Sequence, residues 1–168
     1  FASDSLQIPA ESNFTLFSDS ETAEIIIDSE DSKVVHTAGE CFIKDLKAVS
    51  GREVDIRSSM PEMAENVVLI GSAGKSSFID QLISEEKFDS SAIDQQQWES
   101  FVLTVAQEPF EGVAKALVIA GSDPRGTAFG VFELSQMMGV SPWIWWADVP
   151  AEQRNEFQLS DNFYKTDK

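Results

Sequence analysis

The chain has 168 residues, of which 42% are apolar, and a formal net charge of −17. This length and composition are sufficient for one globular domain with its own core. No apolar run approaches the roughly 18 residues that a membrane-spanning helix requires. The strong negative charge argues against nucleic acid or an anionic membrane surface as a partner, because both would repel the chain.

Features near the amino terminus favour a secreted protein. The sequence begins at Phe1 and not at methionine, which suggests a removed leader or a fragment of a longer protein. Asn13-Phe14-Thr15 is an acceptor sequence for N-glycosylation, so Asn13 is a candidate glycan site. The acidity fits an extracellular protein, although plain solubility explains it equally well.

Cysteine and histidine are almost absent from the sequence. Cys41 is the single cysteine, which excludes an internal disulfide framework. It lies in an apolar helical stripe, and we expect it to be a small core residue and not a nucleophile. His36 is the single histidine, which argues against an all-protein metal site or a histidine-based catalytic triad. We expect neither a metal nor a cofactor.

The first half of the chain alternates predicted strands with predicted helices. Phe14 to Phe17 reads as an edge strand, and Glu24 to Asp28, with its three isoleucines, reads as a buried one. Thr37-Ala38-Gly39-Glu40 has the form of a capping box and predicts a helix start, with Gly51 as the stop. Asn66 to Ile70 is the next predicted strand.

The segment VVLIGSAGKSSFID, residues 67–80, looks like a strand followed by a phosphate-binding loop. That signature, G-x-x-x-x-G-K-[ST], requires a glycine five positions before Gly74, where Leu69 stands. Because the loop from Gly71 is two residues too short, we favour an ordinary strand-to-helix turn, with a helix from about Lys75 to Ser84. Nucleotide binding is the alternative, and Lys75 at a helix start can still attract an anion.

The second half contains a predicted hairpin and a clearly marked helix. Trp98 to Val105 and Val113 to Ala120 read as paired strands. Asp123 suits an N-cap and Pro124 the first helical position, and Gly139 ends the helix. Gly126 and Gly130 lie within this helix and predict close packing of helix on sheet. Together the elements predict an α/β sandwich with a mixed sheet; beyond Pro150 the polar, aperiodic sequence reads as a linker.

One long run resembles a known enzyme family. It comprises GSDPRGTAFGVFELS, residues 121–135, and GVSPWIWWADVP, residues 139–150. It is similar to the end of the N-terminal domain of glycoside hydrolase family 115, the xylan α-1,2-glucuronidases. The match spans about thirty residues and is much more specific than a short motif. The turn after Ile70 and the strand beginning at Trp98 resemble the family as well.

The resemblance implies a multidomain secreted enzyme that removes glucuronic acid, or its 4-O-methyl form, from xylan side chains. Residues 1–150 would form an accessory α/β domain like the one that precedes the (β/α)8 barrel in hexosaminidase- and glucuronidase-type enzymes. Residues 151–168 would then be a linker towards a catalytic barrel that this chain does not contain. The implied partners are that barrel and glucuronoxylan or aldouronic acid oligosaccharides, and the full-length enzyme could form a homodimer. No catalytic carboxylate is expected in this chain.

Three residues are candidates for contact with the sugar. Trp146, in a cluster with Trp143 and Trp145, could stack on a sugar face, and the alternative is that the cluster packs against the barrel. Arg125 could bind a uronate carboxylate or pair internally with Asp148 or Glu133. Lys75 could help to hold an anionic sugar. A second hypothesis makes the chain an independent carbohydrate-binding module that uses the tryptophans.

Overall fold

In the computed structural model, residues 13–94, 98–140 and 153–167 are described. Within these ranges the helices are α1 (Lys33–Ser50), α2 (Ser77–Ser84) and α3 (Pro124–Met137). The strands are β1 (Asn13–Phe17), β2 (Glu24–Ile27), β3 (Ile56–Arg57), β4 (Ala64–Ser72), β5 (Phe101–Phe110), β6 (Val113–Gly121), β7 (Phe157–Ser160) and β8 (Tyr164–Thr166). A short 3-10 helix covers Ser91–Ile93. None of the helices in these ranges is long and apolar enough to cross a membrane.

The main sheet is mixed, as the sequence predicts. Its strand order across the described residues is β3-β2-β4-β6-β5-β8. Strands β3, β2, β4 and β6 run parallel to one another, whereas β5 is antiparallel to both β6 and β8. Helix α1 connects the parallel strands β2 and β3, and a tight turn connects the antiparallel pair β5–β6, which is what each pairing requires.

Helices cover both faces of this sheet, so the central strands are apolar on both sides. Val68 and Ile70 of β4 face the core that α1 and α3 close. Val67 and Leu69 of the same strand face the opposite core, which α2 closes. All four side chains are fully buried, and each contributes about 1.5–3 kcal/mol of hydrophobic stabilisation.

Helix α1 starts earlier than the capping box predicts. Its N-cap is Ser32, whose side chain accepts a hydrogen bond from the Val34 amide, so Thr37 lies inside the helix and that prediction is wrong. The buried stripe of α1 extends back to Val35, and tertiary packing of this residue continues the helix through Thr37. The predicted end is confirmed, because Gly51 has a φ of 75° and donates its amide to the Lys47 carbonyl.

Cys41 is exposed, so the prediction that it is a core residue is wrong. The stripe that α1 buries includes Ala38, Phe42, Leu46 and Val49. Because successive helix residues are about 100° apart, Cys41 lies beside this stripe and on the solvent side of it.

The predicted hairpin is confirmed, with different strand ends. Strand β5 begins at Phe101, three positions after Trp98, and pairs with β6 from Phe101↔Gly121 to Phe110↔Val113. Gly112 forms the turn with a φ of 83°. A β-carbon at this position would overlap the Glu62 carbonyl oxygen, so both conformation and space require glycine there.

Residues 151–168 contain two strands that their polar, aperiodic sequence does not indicate. Strand β7 pairs with β1 and forms a separate two-stranded sheet with it. Strand β8 extends the main sheet next to β5. The sequence reading of this segment as a linker did not include these strands, because they are stabilised by partners far away in the sequence. The boundary at residue 150 and a connection to a further domain stay predictions.

Asp45 of α1 is half-buried beside α3, and burial raises the pKa of this carboxyl, with a smaller opposite effect from the Ser135 hydroxyl. A raised folded-state pKa means that stability decreases as the pH rises through the folded pKa. We expect Asp45→Asn to increase the urea midpoint at pH 7 and to leave it unchanged at pH 3. Asp55→Asn, at an exposed position, is the control. An equal gain at both pH values would contradict the charge explanation.

Candidate functional site

The carboxyl ends of β2, β4 and β6 meet at one edge of the sheet, which we call the carboxyl edge. Ile27 is level with Ile70, and Ser72 is level with Gly121. In open α/β sheets, ligands bind outside the carboxyl ends of the strands. This edge also carries the N-termini of α2 and α3, as well as the residues that lead into β5.

The backbone amides of the loop from β4 to α2 donate hydrogen bonds to acceptors of the chain itself. The Ser72 amide donates to Asp31 Oδ2 at 2.8 Å, and the Gly74 amide donates to Asp80 Oδ1 at 2.8 Å. The amides of Ala73, Lys75 and Ser76 donate to main-chain carbonyls. A phosphate loop needs these N–H groups directed at the ligand, so this geometry supports the strand-to-helix turn over nucleotide binding.

A carboxylate of the chain itself occupies the N-terminus of α2. Asp28 Oδ2 accepts hydrogen bonds from the Ser77 amide at 2.8 Å and the Ser77 hydroxyl at 2.6 Å. Burial by itself raises the pKa of Asp28, but the bonds from Ser77 and the Glu30 amide, with the nearby His36, outweigh it and lower the pKa. The positive end of the helix dipole is therefore already neutralised by an internal anion.

Buried hydroxyls connect the two loops of this edge. The Ser72 and Thr127 hydroxyls lie 2.9 Å apart, and both side chains are fully buried. Thr127 Oγ1 also lies 3.1 Å from the Gly71 carbonyl oxygen. Because these groups satisfy one another, the end of β4 and the first turn of α3 form one rigid unit.

The N-terminus of α3 is built as the sequence predicts. Asp123 is the N-cap, with its Oδ1 accepting the Gly126 amide at 2.7 Å, and Pro124 follows at the first position. The other carboxylate oxygen, Oδ2, accepts the Glu99 amide at 3.0 Å. Asp123 therefore also attaches the segment before β5 to the helix.

Close helix–sheet packing at the two α3 glycines is confirmed. A β-carbon on Gly126 would overlap the Ser100 carbonyl oxygen. One on Gly130 would lie 3.0 Å from Ile119 Cγ2 and 3.3 Å from Phe101 Cβ. Helix α3 can approach the sheet this closely only because both positions lack a side chain.

Among the described residues, Arg125 pairs with Glu99 and not with Glu133, one of the two partners that the sequence suggested. Its Nη1 lies 3.1 Å from Glu99 Oε1, in an ion pair whose arginine side chain is 71% exposed. Glu133 pairs instead with Lys165, and Asp148 lies outside the described residues. The Glu133 alternative is therefore wrong, because β8 places Lys165 next to that carboxylate.

Lys75 and Trp98 are two further exposed side chains of this edge. Lys75 is exposed, and its ammonium has no ion pair among the salt bridges of the described residues. Trp98, just before Glu99, is 84% exposed. Sequence reasoning treated Trp98 as the start of a strand and missed its exposure; its polar neighbours, Gln97 and Glu99, were the available signal.

Of the remaining candidate site residues, the structure describes Asn13 but not the three tryptophans. Trp143, Trp145 and Trp146 lie outside the described residues, so their roles stay predictions. Asn13 is exposed at the start of β1, where its side-chain amide donates to Gln158 Oε1 at 3.3 Å. In the described part of the chain, no group of three or more His, Cys, Asp or Glu side chains could hold a metal ion.

Comparison with known proteins gives matches among solved structures only. No protein-family model and no curated protein matches the chain. BtGH115A, described as a novel family GH115 4-O-methyl-α-glucuronidase with specificity for decorated arabinogalactans, matches with 32% identity and a TM-score of 0.73. The match covers 91% of this chain and 18% of that protein. CpGH84D matches with 12% identity and a TM-score of 0.55, over 90% of this chain and 21% of its own, which shows similarity of fold alone.

The fold and the match define a class: an α/β domain with a mixed sheet that is similar to one part of a much larger glycoside hydrolase, BtGH115A. More particularly, the chain corresponds to a small domain of a GH115 protein, since 91% of this chain aligns with BtGH115A. It spans less than a fifth of that relative.

Proposed function

We propose that the chain is the N-terminal, non-catalytic domain of a secreted α-glucuronidase. The observation that carries the proposal is the match with BtGH115A, at 32% identity over 91% of this chain. Because the match leaves 82% of that relative uncovered (100 − 18), the proposed enzyme has room for a separate catalytic barrel. Glycoside hydrolysis requires a pair of suitably placed carboxyl groups, and we place that pair in the barrel.

The carboxyl edge supports a further role in holding the uronic acid. The chain has 29 acidic and only 12 basic residues, so an exposed lysine at this edge that is outside the salt bridges of the described residues is a candidate partner for an anion. Lys75 is such a residue, whereas Arg125 is already engaged by Glu99. Of the two cations, Lys75 is therefore the more available partner for a uronate carboxylate. Trp146 is the proposed stacking residue.

The substrate is a polysaccharide with terminal glucuronic acid or its 4-O-methyl form. The resemblance in the sequence points to glucuronoxylan, whereas BtGH115A is specific for decorated arabinogalactans. These two candidate polysaccharides share the uronic acid and differ in the backbone that carries it. Release of uronic acid by the longer protein from one of these polysaccharides and not from the other separates these possibilities.

The test of the proposal is turnover by two forms of the protein. We expect the longer polypeptide to release glucuronic acid from aldouronic acids, and the 168-residue chain to release none. Robust hydrolysis by the 168-residue chain would overturn the assignment as non-catalytic. No release of uronic acid by the longer protein from either polysaccharide would overturn the glucuronidase assignment.

In the longer protein, Lys75→Met removes the proposed contact with the uronate. Loss of one charge-assisted hydrogen bond corresponds to about 1.5–3 kcal/mol, so we expect KM to rise about tenfold or more with little change in kcat. Lys44→Met, at an exposed position of α1, is the matched control. Equal kinetics for the two variants would exclude Lys75 from the site, and Trp146→Ala tests the stacking residue in the same assay.

Independent carbohydrate binding is a second candidate function, favoured by the 84% exposure of Trp98. Indole rings stack well on sugar C–H faces. This function predicts heat release and a change in tryptophan fluorescence when xylo-oligosaccharides are added to the 168-residue chain. The absence of both at millimolar ligand would exclude it.

A further inference from the structure

The sequence NFT, residues 13–15, is the one acceptor sequence for N-glycosylation in the chain. The other three asparagines have neither serine nor threonine two positions later; they are Asn66, Asn155 and Asn162. Attachment of a glycan requires an asparagine side chain that reaches solvent in the folded protein. The position of residues 13–15 in the fold therefore decides whether this sequence suits a glycan.

The asparagine of the acceptor sequence faces solvent at the first position of β1. Asn13 is exposed, whereas the other four residues of this strand are buried. Its side-chain Nδ2 donates a hydrogen bond to Gln158 Oε1 at 3.3 Å. A glycosylated asparagine keeps one N–H on this nitrogen, so the bond to Gln158 is compatible with an attached sugar. A glycan at Asn13 thus requires no rearrangement of the core.

The other two residues of the acceptor sequence are buried. Phe14 is fully buried and Thr15 is only 8% exposed. The Thr15 amide also donates a hydrogen bond to Asn66 Oδ1 at 3.3 Å. The enzyme that attaches the oligosaccharide has to recognise the threonine as well as the asparagine, since the acceptor sequence requires both. The folded domain does not offer Thr15 to such an enzyme, so attachment has to come before β1 packs.

Strand β1 begins near the amino ends of β4 and β6, away from the carboxyl edge. Asn66 of β4 is level with Lys115 of β6, and Lys115 Nζ donates to the Asn13 carbonyl at 3.3 Å. Asn66 precedes Ser72 by six positions (72 − 66), which corresponds to about 20 Å along a strand. A glycan on Asn13 is therefore attached far from Lys75.

We infer that Asn13 carries an N-linked glycan that is attached before β1 folds. The donor is an oligosaccharide linked to a lipid diphosphate. A bond forms between Asn13 Nδ2 and C1 of the first sugar, and the bond between C1 and the phosphate oxygen breaks. The lipid diphosphate leaves, and Nδ2 gives one proton to a base of the transferring enzyme. The inference rests on the secretion of the proposed enzyme and does not depend on its glucuronidase activity.

The test is expression of the 168-residue chain, behind a secretory leader, in a eukaryotic cell. We expect peptide-N-glycosidase to increase the gel mobility of the wild-type chain and to convert Asn13 to aspartate, which mass spectrometry detects. Thr15→Ser keeps the acceptor sequence and should keep this shift. Thr15→Val, which keeps the branched shape of the side chain, and Asn13→Gln should abolish it.

Occupancy is measured on the intracellular and the secreted chain alike, so a variant that folds poorly still gives a result. An unmodified Asn13 in the wild-type chain would overturn the inference. A mobility shift that persists in Asn13→Gln would do the same, because the sugar would then be attached elsewhere.

The order of attachment and folding is tested with the purified transferring enzyme and its lipid-linked donor. The acceptors are the folded chain and a peptide of residues 11–17. We expect transfer to the folded chain to be about tenfold slower or more, because β1 must first open locally. Equal rates would contradict attachment before folding. Neither experiment measures hydrolysis: an unmodified Asn13 in an active enzyme refutes only the glycan, and a glycosylated but inactive longer protein refutes only the proposed function.

Discussion

Gly126→Ala is expected to destabilise the domain by about 3 kcal/mol. The new β-carbon would overlap the Ser100 carbonyl oxygen, which is backbone and is held by the Ser122 amide at 2.9 Å. Helix α3 would have to move away from the sheet and would lose packing along its length. The measurement is the urea midpoint by circular dichroism, and an unchanged midpoint would show that α3 can shift without cost.

Gly39→Ala is the matched control, since Gly39 is also a buried helix glycine. Its β-carbon would meet Ile27 Cδ1, the flexible end of a side chain. The isoleucine can move by a small rotation, and alanine gains up to about 1 kcal/mol in helix propensity. We expect Gly39→Ala to stay within about 1 kcal/mol of wild type. A loss as large as that of Gly126→Ala would contradict the distinction between backbone and side-chain neighbours.

Asp28→Ala is expected to cost about 3 kcal/mol at pH 7. It removes the acceptor of the Ser77 amide and hydroxyl and of the Glu30 amide, and it leaves the N-terminus of α2 without its anion. Thermal unfolding measures the loss. Asp19→Ala, at an exposed position, should have a small effect, and comparable losses would show that net charge alone is responsible.

The Asp28 carboxylate should also make the free energy of unfolding depend on pH. The pKa of Asp28 is lower in the folded chain than its ordinary value of 3.8. Its stabilising contribution is therefore present above the unfolded pKa and is lost as the pH falls through the lower folded pKa. The difference in unfolding free energy between wild type and Asp28→Ala should narrow across this acid range. A constant difference would mean that the charge of Asp28 does not contribute.

Features that depend on neighbouring residues could be predicted from the sequence. The Asp123 cap and Pro124 start of α3, the Gly51 stop of α1, and the β5–β6 hairpin are all confirmed. Each rests on hydrogen bonds or steric limits within a few residues. The absence of a glycine at Leu69 favoured a strand-to-helix turn for the same reason, and β4 does lead through a short turn into α2.

Features that depend on distant residues could not be predicted. Lys165 forms an ion pair with Glu133 because β8 lies beside α3. Arg125 pairs with Glu99 because the segment before β5 lies against the first turn of α3. Strand β8, only three residues long, has no periodicity of its own to reveal it. The exposure of Cys41 follows from which side of α1 meets the sheet.

The sequence by itself determined the mixed α/β class and the ends of several elements, because periodicity and caps are local chemistry. Only the tertiary structure decided how the carboxyl edge is occupied. The N-terminus of α2 is held by Asp28, 49 positions before Ser77, and the Ser72 amide by Asp31, 41 positions away. Such contacts depend on which strands become neighbours, and that is set by burial of apolar faces over the whole chain.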